Sequence, residues 1–296
     1  MLTGIRSARA KSRRELVAAA LAALFLAVVY SLAIWTQFGQ EMENELFQRD
    51  RVPAATAGVE PVPTAPVLPV SPAPAILPVG QAAVWGGVLL LIPLVGRKPR
   101  LALWGLVTLT GSAATAFVLK ELLPRPLLDN SYGVGLSAEN SAPSGHATMA
   151  TSVALVALVV CPAALRYIAA AAGVAVAAVT AYSVQAAGWH RPSDILMGAT
   201  LSLLWVFLAA LLVPAEKDIA AVRWNPPMMS LCVLAAAAVA LWWVSESQPG
   251  PGYPVVVSAA APCAAAVLLA HHRFCRPAAP GRAARTHAEG RSPITG

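Results

Sequence analysis

Two histidines stand in polar islands of an otherwise apolar chain, and each has neighbours that suit it to phosphoryl chemistry. In Gly188-Trp-His190-Arg191-Pro192-Ser-Asp194, a spacing of four on a helix starting near Pro192 lets the Asp194 carboxylate reach back toward the His190 imidazole. Such a pairing fixes the ring tautomer and raises its basicity, so His190 can attack phosphorus and carry the phosphoryl group until water displaces it. The same two residues could equally do no more than cap a helix start. In Glu139-Asn-Ser-Ala-Pro-Ser-Gly-His-Ala-Thr148, residues Ser144, Gly145 and His146 fall where an apolar helix would begin. The unpaired N–H groups and positive dipole end of that helix favour an anion. Ser144 can add its hydroxyl, Gly145 lets the backbone approach closely, and His146 can protonate a departing oxygen.

The third island, Lys120-Glu-Leu-Leu-Pro-Arg125-Pro126, supplies two cations. Together they can neutralise charge developing on a transferred phosphoryl group, with arginine able to grip two oxygens at once. Cations at the ends of apolar segments also commonly extend to the membrane interface without any further duty.

The elements that must hold these islands are membrane helices. With 57% hydrophobic and 12% charged residues among 296, the chain is too apolar for an ordinary soluble domain. Apolar segments at 16–37, 76–96, 101–119, 146–165, 167–187, 195–213, 228–244 and 254–270 each approach the length of a spanning helix, so about eight transmembrane helices are expected. The first segment follows Arg6, Arg9, Lys11, Arg13 and Arg14 but is too long for a cleaved signal, and it reads as a retained anchor.

Basic residues set the orientation. With the N-terminus inside, 16 of the 21 Lys and Arg residues fall on the cytoplasmic side, and 10 of the 14 acidic residues fall on the other. The three islands then share the outer side, and both termini are cytoplasmic. The net charge of +7 follows this topology and lipid headgroups rather than nucleic acid. Cys161, Cys232, Cys263 and Cys275 form no recognisable disulfide or metal set, and no cofactor is expected.

The order Lys…Arg-Pro, Pro-Ser-Gly-His and His-x-x-x-Asp resembles the type 2 phosphatidic acid phosphatase superfamily, which includes lipid phosphate phosphatases and vanadium haloperoxidases. The resemblance covers roughly residues 76–213. It implies an all-α helical bundle in the membrane and a metal-independent phosphatase core, with His190 as nucleophile, Asp194 as its partner and His146 as general acid. Lys120, Arg125, Ser144 and Gly145 would bind phosphate. Two motifs depart from the family pattern. Four residues rather than six separate Lys120 from Arg125-Pro126, and Leu127 and Leu128 occupy the usual Arg-Pro positions. Ser183-Val184 stands where the family has Ser-Arg. Arg191 is the nearest substitute for that missing phosphate ligand.

The expected layout is a cytoplasmic N-terminus and first span (1–37), a Pro-rich outer loop (38–75), the core (76–213), two further spans (214–272) and a disordered basic tail (273–296). Within the loop, residues 52–78 carry eight prolines and favour extended polyproline backbone, while Glu41-Met-Glu-Asn-Glu-Leu-Phe suits a short helix. A lipid phosphate or a polyprenyl diphosphate entering from the membrane is the substrate class this implies. A catalytically impaired lipid-phosphate binder or scaffold is the alternative, favoured by Val184. A transporter lacks ionisable residues at midplane depth, and a haloperoxidase does not fit a lipid setting. Oligomeric state is not legible.

Overall fold

The computed structural model of the chain describes residues 2–49, 79–126, 128, 140–186, 189–213, 229–236, 238 and 253–274. All elements in these residues are helical: α1 (Leu2–Ile34), α2 (Gln37–Arg49), α3 (Val79–Val95), α4 (Pro99–Leu122), α5 (Gly145–Val160), α6 (Arg166–Ala186), α7 (Pro192–Leu212), α8 (229–236) and α9 (Tyr253–Phe274). A 3-10 turn at Ala163–Leu165 joins α5 to α6.

Start and stop residues fix these boundaries. Proline at the first position opens α4 and α7, where its fixed φ suits a helix and its missing N–H is no loss. Ser144 caps α5 by accepting the Ala147 N–H, and α5 stops at Val160, with Cys161 as its C-cap just before Pro162.

Among the described residues, four helices are both long and apolar enough to cross a membrane: Ser12–Ile34, Pro99–Leu122, Arg166–Gln185 and Pro192–Leu212. The expected count of eight is not confirmed among the described residues. Three of the other segments are shorter apolar helices, Val84–Val95, Gly145–Val160 and Ala260–His271. The eighth, 228–244, is described only over 229–236 and at 238. Residues 38–49 of the expected Pro-rich loop are helix α2, which includes the short helix anticipated there. The proline run at 52–78 and the tail from 275 lie outside the described residues.

Two helices organise the bundle. α5 packs on α3, α4, α6, α7 and α9, and α7 packs on α1, α4, α5 and α9. Small residues allow the close approach that membrane helices need when lipid and side chains are equally apolar. A Cβ on Gly173 of α6 would lie 2.7 Å from the Ala154 Cβ of α5. Buried hydroxyls are paired across helices, Ser112 with Ser152 at 2.8 Å and Ser202 Oγ donating to the Thr148 carbonyl at 2.9 Å, and the half-buried Trp205 Nε1 donates to Thr115 Oγ1 at 3.0 Å. Below these lies an apolar core with Trp104, Leu155, Leu158, Val159 and Val206. The polar islands therefore gather at one end, where α4 finishes and α5 and α7 begin. Arg97, Lys98 and Arg100 lie at the start of α4, the end opposite Lys120, and Arg166 opens α6 just after α5 ends.

Candidate active site

The first turn of α7 carries the site's acid. Asp194 is the third residue of that turn and is fully buried. Its Oδ2 accepts the Arg191 N–H at 2.9 Å and the Ser141 hydroxyl at 2.5 Å, and lies 3.4 Å from His190 Nδ1. Its Oδ1 lies 3.4 Å from Arg125 Nη1. Four donor groups thus converge on one buried carboxylate. With Nδ1 directed at Asp194, the Nε2 lone pair of His190 is the one left for chemistry.

His190 is held from behind as well. The carbonyl of Val184 at the end of α6 accepts the N–H groups of both Trp189 and His190, at 3.0 and 3.2 Å. The Ser144 N–H donates to the Asp194 carbonyl at 2.9 Å, which ties the start of α5 to the start of α7. Gly145 and His146 follow as the first two residues of α5, where N–H groups have no intrahelical acceptor.

A pocket of about 450 Å³ opens at this junction. His146, His190, Gly145 and Lys120 line it, beside Ala113, Ala116, Phe117, Met149 and Trp189. The two histidine rings have centroids 6.4 Å apart, and the His146 ring lies 5.8 Å from that of Trp189. A Cβ added to Gly145 would meet no atom within 4 Å, so the pocket floor at that point is bare backbone.

The expected site residues thus separate into two layers. Lys120, Gly145, His146 and His190 reach the pocket. Ser144, Asp194, Arg125 and Arg191 do not line it and are at most 9% exposed. Ser144 Oγ accepts the Ala147 N–H at 3.3 Å as the cap of α5. Arg125 directs its second Nη to Glu43 at 3.1 Å, so its guanidinium lies between two carboxylates. Val184, at the position of the family's arginine, is fully buried in an apolar cluster with Ala147, Ala150, Ala181 and Ile195.

Sequence reasoning missed Glu43, Ser141 and the pocket's apolar wall. The wall had a signal, because Ala113, Ala116 and Phe117 precede Lys120 by seven, four and three residues on one face of α4. Ser141 lay within the quoted loop. Glu43 had none: it is one of several acidic residues in a polar helix. Among the described residues, no three His, Cys, Asp or Glu side chains converge as a metal-ligating group.

Residues 101–218 match the family model of the PAP2 superfamily. The match begins within α4 and contains all three islands, but leaves out α1, α2 and α3. No curated protein and no solved structure matches the chain.

Proposed function

From the place of residues 101–218 in the PAP2 superfamily, we propose that the chain is a membrane phosphatase that hydrolyses a lipid phosphate or polyprenyl diphosphate on the extracytoplasmic side, through a phosphohistidine. The observation that carries this reading is the facing of His190 and His146 across one pocket, with ring centroids 6.4 Å apart and Lys120 at its rim. One phosphoryl group fits between rings so placed.

In the first step His190 Nε2 bonds to phosphorus as the bond to the leaving oxygen breaks, and His146 gives that oxygen its proton. In the second, His146 takes a proton from water, and the hydroxide displaces His190 from phosphorus to release inorganic phosphate. Asp194 stabilises the charged imidazole of His190 throughout. The first N–H groups of α5 and the Lys120 ammonium stabilise the equatorial oxygens. Ala113, Phe117 and Met149 suit the first carbons of an acyl or prenyl chain. The concentration of Lys and Arg at the opposite helix ends supports an outward-facing site.

A second reading, a lipid-phosphate binder with little turnover, is favoured by one observation. Among the described residues Lys120 is the one Lys or Arg lining the pocket, while Arg125, Arg191 and the Val184 position stand away from it. Purified protein assayed against short-chain phosphatidic acid and prenyl diphosphates, with His190→Ala alongside, decides between them. Phosphate release by the parent and none by the variant is expected. Binding without release by the parent would establish the second reading. Sidedness is checked with single cysteines at Asn140 and Ala164: an impermeant thiol reagent added outside should label the first and spare the second.

A further inference from the structure

The proposed site leans on a helix that precedes the PAP2 match. Gln40 and Glu43, three residues apart on α2, share a face toward the loop after α4. Gln40 Nε2 donates to the carbonyls of Ile34 and Pro126, each at 2.7 Å, and its Oε1 accepts the Leu128 N–H at 3.1 Å. Tyr30 of α1 adds a hydroxyl bond to the Pro124 carbonyl at 2.5 Å. Glu43, 3% exposed, accepts the Ser193 N–H with Oε1 at 2.7 Å and Arg125 Nη2 with Oε2 at 3.1 Å.

Arg125 therefore serves two buried carboxylates, and Glu43 also binds the first turn of the helix that carries Asp194. Without Glu43, the guanidinium would pair with Asp194 alone and draw its charge away from His190. The Ser193 N–H would lose its acceptor, and the start of α7 would loosen. Burying a carboxylate is weak evidence for stability, since desolvation offsets much of the attraction. The arrangement makes more sense as orientation.

We propose that Glu43 is a positioning residue of the candidate active site: it holds Arg125 and the first turn of α7 so that Asp194 stays directed at His190, which makes α2 an integral part of the site. This rests on the phosphatase reading for its catalytic consequence.

The test compares Glu43→Gln, Arg125→Ala and the double variant in phosphate release from dioctanoyl phosphatidic acid. Glu43→Gln keeps the size but lacks the charge. It should lower kcat about tenfold or more and change KM less than about threefold, and it should cost nothing further once Arg125 is alanine. Arg125→Lys keeps the cation but cannot bridge both carboxylates, and should reproduce the loss. Unchanged kcat in folded Glu43→Gln or Arg125→Lys overturns the proposal, as do single losses that multiply in the double variant. A parent that releases no phosphate from any substrate would instead sink the phosphatase reading. In that case, amide hydrogen exchange at 189–195 judges Glu43 alone. Faster exchange in Glu43→Gln, absent against Arg125→Ala, supports it, and unchanged exchange overturns it.

Discussion

The carbonyl of Asp194 accepts the N–H of Ser144 at 2.9 Å. By this one bond the residue whose carboxylate faces His190 also fixes the entry to the helix that carries His146. The helix starts that carry the two histidines are thus joined through backbone, while the His190 ring takes its direction from the Asp194 carboxylate.

That joint requires Gly198. A Cβ there would lie 2.9 Å from both the Ser144 carbonyl oxygen and Thr148 Oγ1 and 3.2 Å from the Thr148 nitrogen. Gly198→Ala should push α7 from α5, cost about 1–3 kcal/mol and lower the melting temperature in detergent. Turnover should fall with it. Wild-type melting and activity would show that the joint can relax.

Val184→Arg should not rescue the missing phosphate ligand. The side chain at 184 is fully buried among Ala147, Ala150, Ala181 and Ile195, where an unpaired guanidinium costs at least about 3 kcal/mol. Reduced yield of folded protein and a lower melting temperature are expected. Normal melting with raised turnover would mean that the new arginine reaches the pocket.

His146→Ala should be sensitive to the leaving group. With an alkyl lipid phosphate, whose oxygen needs a proton, the loss in kcat should be about a hundredfold or more. With an aryl phosphate whose phenol leaves as an anion, the loss should be several times smaller. Equal losses with both substrates would remove His146 from the general-acid role.

Stability should carry a signature of Glu43 in the acid range. Burial, reinforced by Asp194 and opposed by Arg125 and Ser193, holds its carboxyl above the ordinary value of 4.5. The folded chain then binds this proton more tightly than the unfolded chain, so stability falls as pH rises from the ordinary value to the raised one and levels off above it. The melting temperature of the parent minus that of Glu43→Gln should decline across that window. A difference that climbs with pH would show that the contacts to Arg125 and Ser193 outweigh burial.

Local chemistry was readable directly. The apolar runs announced helices, and Pro192 announced one of their starts, because it acts within one turn of chain. Of the residues named by the His190 to Asp194 spacing and the Pro-Ser-Gly-His run, Pro143, Gly145, His146 and His190 line the pocket, while Ser144 and Asp194 lie behind it. The number of membrane-crossing helices was less legible, since hydropathy measures apolar length but not where a helix ends: α5 stops at Val160, where Cys161-Pro162 interrupts an apolar run.

What tertiary structure decided is which charges face the pocket. Arg125, read from its motif as a phosphate ligand, stands between Glu43 and Asp194, and Glu43 comes from a helix 82 residues earlier in the chain. Lys120 stays at the rim because it lies on the α4 face that also carries Ala113 and Phe117. A sequence shows residue types and near-neighbour spacing; a buried charge takes the partners that packing brings to it, and those contacts between distant segments exist only once the helices have assembled.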